Sequence, residues 1–315
     1  MTLRRSARNP ILTRGDIPRI EPEIRDPTSV FNPGAIRDGD HYRLMLRVQT
    51  RGRETHLVMA EGERADELRV LPEVVRLRGI ERVRAPIYHV YDPRLTAIGD
   101  RGYAMVALDV EDGCRLGVAV TDDWRRFEFL GLASRGDARN GVLFPETFGG
   151  RYLRLERPNQ WHAPGEPPGG SEIILSESAN LLDWRPVASI LRGRPHYWDE
   201  LIGPGPPPVR TTEGWLCIYH GIALHFASVR IYQAGVFLLD LDDPARLRAR
   251  GRLNILEPRE SYELVGQVPN VVFPSGLIAD GASPEAVTYL YYGAADTCVA
   301  LATATVGELI AACAE

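Results

Sequence analysis

The sequence predicts an all-β fold, a five-bladed β-propeller that ends in a short C-terminal helix. Three observations support this prediction. Short apolar runs are separated by turns that use many of the chain's 24 prolines and 30 glycines. One strand–turn–strand unit occurs five times along the chain. Patterns typical of helices are scarce, and residues 305–313 are the main candidate for one.

The repeated unit begins with a short strand marked by proline, continues through a turn, and ends in an apolar strand led by an aromatic residue. In the second copy Asp92-Pro93 opens the unit, Gly99 to Gly102 form the turn, and an alternating apolar run begins at Tyr103. We expect Pro93 to bias Asp92 towards an extended backbone. The five copies lie at residues 31–47, 89–110, 143–155, 203–220 and 272–293.

The spacing of the units indicates a propeller. Their aromatic markers lie about 50 to 75 residues apart, the size of a four-stranded blade with insertions. Circular closure stabilises such small sheets, because each sheet stacks on its neighbours and no broad face stays exposed. The alternative is a two-sheet sandwich of repeated hairpins. We expect an irregular leader at residues 1–30, followed by a single five-bladed propeller domain at residues 31–315.

The composition excludes several classes of protein. Of the 315 residues, 44% are hydrophobic and 25% are charged, as in ordinary globular proteins. The formal net charge of −5 does not favour binding to nucleic acid or to an anionic membrane. No apolar run is long enough to span a membrane, and the N-terminus lacks the apolar core of a signal peptide. The four cysteines are far apart, which argues against a disulfide framework or a metal site and favours a reducing cytoplasm.

Polar residues recur where the units begin and where their second strands end. A propeller presents side chains from these positions to its central axis, where charged groups are seldom found without partners. We therefore expect a set of them to converge on one central pocket: Asn32, Arg47, Asp92, Arg94, Arg139, Asn140, Glu146, Arg157, Glu200, His220, Tyr232 and Asp296.

Each of these residues also has an ordinary structural explanation. Asp92 is a candidate general acid or a turn residue, Asp296 binds sugar hydroxyls or closes a hairpin, and His220 binds an anion or belongs to the core. Arg139, Arg157 and His220 together could hold an anion, since planar guanidinium groups suit phosphate. Most aromatic residues simply form core, but some could stack on a sugar ring. The candidates are Tyr91, Trp161, Trp198 and Tyr292.

Eight motifs, in order along nearly the whole chain, resemble glycoside hydrolase family 130. They are F-N-P-G-A, Y-D-P-R, R-N-x-x-L-F-P-E, E-R-P, I-G-P-G-P-P-P, G-W-L-x-I-Y-H-G, G-V-F-L-L-D-L-D-D-P and L-Y-Y-G-A-A-D-T. The resemblance implies a five-bladed propeller, which the repeats indicate independently. It also implies an inverting β-mannoside phosphorylase without metal or organic cofactor. Such an enzyme uses inorganic phosphate to cleave the terminal β-mannosyl linkage of a manno-oligosaccharide or mannosyl-glucose, and it releases α-mannose 1-phosphate.

The resemblance also implies roles for matching residues. Asp92 matches the single catalytic acid, which in some members protonates the glycosidic oxygen through a hydroxyl of the mannose. A phosphorylase needs no second carboxylate as base, because phosphate is already an anionic nucleophile. The matches to phosphate-binding positions are Arg139, Asn140, Arg157, His220 and Tyr232. The substrate-binding candidates are Asn32, Arg47, Asp296 and the neighbouring Arg94.

Hydrolysis is the first alternative, because a minority of the family are inverting β-1,2-mannosidases that use water and need a base. Candidate bases are Glu146, Glu200 and Glu257. Some phosphorylases carry a Lys where this chain has Leu201, or a basic residue near Val142, so the phosphate site departs from the family pattern at two positions.

A non-catalytic glycan-binding propeller is the second alternative. A five-bladed enzyme of the arabinanase type is disfavoured, because its first blade would offer an acidic residue where this chain has Asn32. We expect the linkage and the acceptor sugar to depend on loops around residues 157–172 and 222–232. Family members often form oligomers, so a homo-oligomer is one possible state of this chain.

Overall fold

Five sheets of four or five strands form the blades of the molecule, so the predicted five-bladed β-propeller is confirmed. The computed structural model describes residues 2–159, 169–224 and 229–314. Each aromatic marker of the repeated unit lies in the strand that follows the turn of its unit, as predicted. No helix among the described residues has the length and apolar character that crossing a membrane requires.

The chain forms the blades in order. A short strand β1 (Arg4–Arg5) comes first. The first blade consists of β2 (Pro27–Asp38), β3 (His41–Thr50), β4 (Thr55–Arg64) and β5 (Glu67–Val74). The second blade consists of β6 (Leu77–Arg78), β7 (His89–Ile98), β8 (Arg101–Val110), β9 (Gly113–Thr121) and β10 (Phe127–Leu132). The third blade consists of β11 (Ala138–Phe148), β12 (Arg151–Pro158), β13 (Glu172–Ser178) and β14 (Arg185–Arg192).

The fourth blade consists of β15 (Leu201–Pro204), β16 (Val209–Arg210), β17 (Trp215–Leu224), β18 (Arg230–Leu239) and β19 (Leu247–Arg250). The fifth blade consists of β20 (Val272–Ala279), β21 (Val287–Ala294) and β22 (Cys298–Thr305), to which β1 adds an outer strand. The helical elements are α1 (Ser261–Leu264), α2 (Val306–Ala314) and two 3-10 turns at Arg14–Asp16 and Ile80–Arg82.

The hydrophobic core lies in layers between neighbouring blades. Successive residues of a strand point to opposite faces of its sheet, so each blade contributes to two layers. Leu44 of β3 packs towards the fifth blade, and the next residue, Met45, packs towards the second. Trp215 meets the third blade through Phe144, whereas Ile218 of the same strand packs towards the fifth. Burial on both faces explains why these strands are almost continuously apolar.

The N-terminal residues close the ring. Strand β1 pairs with β22, so the first and last parts of the chain share the fifth blade. Leu12 and Ile24 are fully buried in the layer between the first and fifth blades. The separation of residues 1–30 from residues 31–315 stays a prediction, but these first residues pack against the propeller.

The predicted C-terminal helix is confirmed as α2. Thr305 caps it, because its hydroxyl accepts from the backbone N–H of Glu308 (3.2 Å). In return, the Glu308 carboxylate accepts from the backbone N–H of Thr305 (2.7 Å). This reciprocal pair is a capping box, and the sequence T-x-x-E before an apolar run signals it.

β-Bulges interrupt β2, β7 and β11, each of which forms one edge of its blade. The register of β2 shifts between Phe31 and Gly34, and β7 and β11 shift at the equivalent points. Inside these three bulges Asn32, Asp92 and Asn140 adopt positive φ angles of 49°, 49° and 56°. The expectation of an extended backbone at Asp92 is therefore wrong, because the bulge overrides the bias that Pro93 imposes.

Candidate active site

A cavity of about 280 Å³ lies where the bulged strands meet. It brings together eight of the twelve residues expected to converge on one pocket, and their roles stay predictions. The lining residues are Asn32, Arg47, Tyr91, Asp92, Ala107, Asp109, Arg139, Asn140, Arg157, Tyr232, Val268, Val271, Phe273 and Asp296.

The bulges explain how three neighbouring blades deliver polar side chains to one point. A bulge inserts an extra residue and re-aims its side chain, which in a regular strand would face an adjacent blade. Asn and Asp tolerate the left-handed backbone better than other residues with a Cβ atom. Asn32, Asp92 and Asn140 satisfy both conditions and all line the cavity.

Asp92 is fixed by two donors on the first blade. Its Oδ1 accepts from Nδ2 of Asn32 and from Nη1 of Arg47, each at 3.0 Å. The Asp92 side chain is 12% exposed, so its ion pair with Arg47 is only partly screened by solvent. One face of the cavity thus holds a carboxyl whose orientation is set by hydrogen bonds.

Asp296 lies in a tight turn between β21 and β22. Ala295 and Asp296 both have positive φ, and the N–H of Thr297 bonds to the carbonyl of Ala294, which defines a type I′ turn. Burial, together with the negative charge of Asp92, raises the pKa of Asp296 to about 6, and Arg47 opposes this rise. The cavity therefore contains a second carboxyl that keeps its proton to a higher pH than an ordinary aspartate.

Two arginines face each other across adjacent strands of the third blade. Arg139 of β11 and Arg157 of β12 are direct cross-strand partners, an arrangement that like charges normally disfavour. Within the described part of the chain, neither guanidinium has a carboxylate at salt-bridge distance, and both Nε atoms are buried without a partner. Burial, and then the charge of Arg139, lower the pKa of Arg157. The pair therefore places two positive charges beside the cavity with no neutralising carboxylate among the described residues.

His220 lies behind this pair and does not line the cavity. It is fully buried, and its Nε2 is 3.3 Å from Nη1 of Arg157. Burial and the charges of Arg157 and Arg94 hold the pKa of His220 well below its usual range. The imidazole is therefore neutral and can accept a hydrogen bond from Arg157. Tyr232, unlike His220, lines the cavity.

Arg94 also lies outside the cavity lining. Its Nε donates to the carbonyl of Gly205 (2.7 Å), and its Nη1 donates to the carbonyls of Asp92 and Pro93 (3.1 Å each). Burial lowers the pKa of Arg94 to about 10, although Asp92 opposes this. Arg94 thus links the backbone of the bulge at Asp92 to the backbone of the fourth blade by hydrogen bonds.

Of the four aromatic stacking candidates, Tyr91 lines the cavity. Trp198 instead stacks on Tyr219, with ring centroids 5.7 Å apart, and the buried Tyr292 donates its hydroxyl to Glu263 (2.8 Å). Trp161 lies outside the described residues.

Sequence reasoning missed five lining residues: Ala107, Asp109, Val268, Val271 and Phe273. The signal for Asp109 is a carboxylate inside the apolar run A-L-D-V of β8, a position that a core strand rarely gives to an acid. Phe273 carries no such signal, because an aromatic residue in an apolar strand is ordinary core.

Comparison with known proteins establishes the family. A sequence model of glycoside hydrolase family 130, described as beta-1,4-mannooligosaccharide phosphorylase, matches residues 2–315. The chain belongs to this family.

Two relatives and one solved structure illustrate the similarity. A beta-1,4-mannooligosaccharide phosphorylase from Ruminococcus albus is 29% identical over 308 residues, which cover 96% of this chain and 88% of that protein. A 1,2-beta-oligomannan phosphorylase from a Thermoanaerobacter species is 30% identical and covers 95% of this chain and 96% of its own. The structure of beta-1,2-mannobiose phosphorylase from Listeria innocua in complex with beta-1,2-mannobiose superposes with a TM-score of 0.87 at 23% identity, over 100% of this chain and 99% of that one.

The candidate hydrolytic bases of this family 130 chain do not line the cavity. Glu146 is 3.6 Å from Arg210, and Glu257 binds Arg259 at 2.6 Å. Glu200 accepts from the backbone N–H groups of His196 and Leu224, both at 3.0 Å. The loops expected to determine linkage and acceptor contain residues 160–168 and 225–228, which lie outside the described residues.

Proposed function

We propose that this protein is an inverting β-mannoside phosphorylase. Its substrate is a manno-oligosaccharide or mannosyl-glucose, and its co-substrate is inorganic phosphate. The phosphorylase names of its relatives support the reaction class. The observation that carries the assignment to this site is the pair Arg139 and Arg157, whose buried donors meet no carboxylate among the described residues and line the same cavity as Asp92.

The proposed reaction uses the two sides of the cavity differently. Phosphate bound by Arg139, Asn140, Arg157 and Tyr232 attacks the anomeric carbon of the terminal mannose. The bond from that carbon to the glycosidic oxygen breaks, and a bond to a phosphate oxygen forms on the opposite face. The proton of Asp92 passes to the leaving oxygen, directly or through a sugar hydroxyl, so the products are α-mannose 1-phosphate and the shortened sugar.

The cationic side of the cavity would lower the barrier mainly by positioning and by electrostatics. Preorganised donors hold the attacking oxygen near the anomeric carbon and spread the charge of the transition state. His220 supports this side indirectly, because its neutral imidazole orients Arg157. Asn32, Arg47 and Asp296 would hold the mannose hydroxyls on the other side.

A panel of β-1,2- and β-1,4-mannobiose and mannosyl-glucose, incubated with and without phosphate, tests the proposal. We expect mannose 1-phosphate to appear only with phosphate. Free mannose formed without phosphate would instead identify a mannosidase. Binding of a mannoside without turnover in either condition would identify a glycan-binding propeller.

Two further parts of the proposal concern the state of the protein. We infer a cytoplasmic location, supported by four buried cysteines that are all unpaired. We also infer that a homo-oligomer is compatible with this fold. Cell fractionation and light scattering of the purified protein test these two inferences separately.

A further inference from the structure

The guanidinium of Arg47 lies between two aromatic rings. Its Cζ is 4.5 Å from the ring centroid of Phe31 and 4.6 Å from that of Tyr91. Phe31 faces Arg47 directly across β2 and β3, so this ring is fixed by strand pairing. Tyr91 belongs to the second blade and precedes Asp92 in the bulge of β7. The two rings flank the guanidinium, whose Nη1 also donates to Asp92 Oδ1 at 3.0 Å.

The position of the Tyr91 ring is fixed by a hydrogen bond from its hydroxyl. Its hydroxyl donates to Oδ1 of Asp109 at 2.7 Å and lies 3.5 Å from Sγ of Cys114. Tyr91 is 7% exposed, and burial raises the pKa of its hydroxyl, so this group remains a hydrogen-bond donor at all ordinary pH values. Asp109 comes from the adjacent strand β8, which makes the anchor independent of the bulge.

We propose that Asp109 and Tyr91 are positioning residues that hold Arg47 against Asp92. The contacts run from Asp109 to the Tyr91 hydroxyl, from the Tyr91 ring to the Arg47 guanidinium, and from Arg47 to the Asp92 carboxyl. This inference rests on the proposed function, in which Asp92 donates the proton to the leaving oxygen. It adds to that function two residues that set the orientation of the acid.

The physical reason is that an arginine side chain without fixed neighbours has several rotamers. The Nε of Arg47 has no hydrogen-bond partner among the described residues, so the rings and Asp92 are the contacts that hold its head group. If the Tyr91 ring could tilt, Arg47 would swing away and Asp92 would lose one of its two donors. Small displacements of a catalytic group have a large effect on rate, because proton transfer needs close and aligned atoms.

The test uses Tyr91→Phe, Asp109→Ala and the double variant, measured at saturating mannobiose with varied phosphate. Each single change removes one hydrogen bond, so we expect kcat to fall by about 3- to 10-fold. The KM for phosphate should not change, because Arg139 and Arg157 are untouched. The double variant should be no slower than either single variant, since both changes break the same contact. Asp109→Asn should restore most of kcat, because its amide oxygen still accepts from Tyr91.

A matched control comes from the fifth blade. The Tyr289 hydroxyl donates to Oδ2 of Asp280 at 3.1 Å, away from the cavity, so Tyr289→Phe removes the same kind of bond. We expect it to leave kcat unchanged. Additive losses in the double variant, a loss that appears only in KM, or full activity of Tyr91→Phe would overturn the proposal.

Crystal structures of Tyr91→Phe and Tyr289→Phe separate this inference from the proposed function. In Tyr91→Phe we expect the contact between Arg47 Nη1 and Asp92 Oδ1 to be broken, and in Tyr289→Phe we expect it intact. An intact contact in both variants overturns the inference, whatever reaction the protein catalyses. Absence of phosphorolysis in the unaltered protein overturns the proposed function, and the two crystal structures still decide this inference.

Discussion

Four of the ten described non-glycine residues with positive φ face the cavity. Asn32, Asp92, Asn140 and Asp296 all have positive φ, and all four are Asn or Asp. Such conformations cost free energy and persist where the surrounding structure imposes them, often at functional sites. Exchange of Asp for Asn at these positions leaves the backbone preference unchanged, so it isolates the effect of the carboxyl.

Asp92→Asn is therefore a clean test of the proton donor. We expect kcat for mannobiose phosphorolysis to fall by about 10²- to 10⁴-fold, the usual contribution of a general acid. With p-nitrophenyl β-mannoside the loss should be smaller, because that leaving group needs little protonation. Unchanged turnover of mannobiose, in a variant with an unaltered melting temperature, would contradict the role of Asp92.

Asp296 makes stability depend on pH. The folded protein retains this proton up to about pH 6, whereas the unfolded chain releases it near the ordinary pKa of 3.8. Between pH 3.8 and about 6 the folded state therefore binds more protons than the unfolded chain. The free energy of unfolding is highest below pH 3.8 and falls as pH rises through this range. At about 1.4 kcal/mol per pH unit, the loss is at most about 3 kcal/mol.

We accordingly expect Asp296→Asn to be more stable than the unaltered protein at pH 7, and equally stable below pH 4. Urea unfolding at both pH values measures the difference. Asp100→Asn, at an exposed turn, serves as a control that should show no such pH dependence. A variant that is less stable at pH 7 would show that the ionised carboxyl stabilises the site.

Site residues differ in how far sequence alone could identify them. The sequence predicted that Asp92 and Asp296 face the pocket, because each lies in a polar motif that interrupts an apolar pattern, and both line the cavity. The sequence also predicted His220 and Arg94, but their depth behind the cavity depends on the packing of the third, fourth and fifth blades. A linear pattern carries no information about that depth.

At the scale of elements, the pairing of β11 with β12 concentrates positive charge. The register sets Arg139 opposite Arg157, and the bulge beside Arg139 adds Asn140 to the same wall of the cavity. Like charges directly opposite each other on paired strands repel, so a bound anion should stabilise this part of the sheet.

Phosphate should therefore raise the melting temperature of the unaltered protein but not that of Arg157→Gln. A ligand at ten times its Kd stabilises the folded state by about 1.4 kcal/mol. Loss of a hydrogen bond to a charged group should raise the KM for phosphate by about 10- to 100-fold. Without phosphate, Arg157→Gln should be no less stable than the unaltered protein, because it removes a repulsive charge.

Arg151→Gln provides the control on the same strand. Arg151 is 49% exposed and lies 3.5 Å from Glu177, away from the cavity. It should retain both the phosphate-induced shift and the KM. Equal stabilisation of Arg157→Gln by phosphate, at ionic strength matched with chloride, would exclude Arg157 as a phosphate ligand.

The strands were predictable because alternation, aromatic markers and Pro–Gly punctuation are local signals. The bulges were not, because a register shift is a property of two strands and appears in neither one alone. The expectation for Asp92 failed for this reason: the preference that Pro93 imposes is weak compared with the hydrogen bonds and packing that fix the bulge.

At the scale of the whole molecule, ring closure depends on the first residues of the chain. Strand β1 completes the fifth blade, and the adjacent residues Arg4 and Arg5 each form an ion pair with a distant carboxylate. Arg4 meets Glu308 on an exposed surface, where both partners are solvated. Arg5 donates two bonds of 2.8 Å to Glu263, whose side chain is fully buried, and one of 2.7 Å to the carbonyl of Glu257.

These neighbouring arginines allow a matched test of closure. Burial opposes ionisation of Glu263, but Arg5 and two backbone N–H groups hold its pKa below the ordinary value, so the carboxylate stays charged. Arg5→Met leaves this charge buried without its main partner and should cost about 3–5 kcal/mol. Arg4→Met should have no measurable effect, because an exposed pair contributes little. If urea unfolding finds the two variants equally stable, the buried pair does not hold the ring closed; if Glu263→Gln partly restores Arg5→Met, the unpaired charge is the cause of the loss.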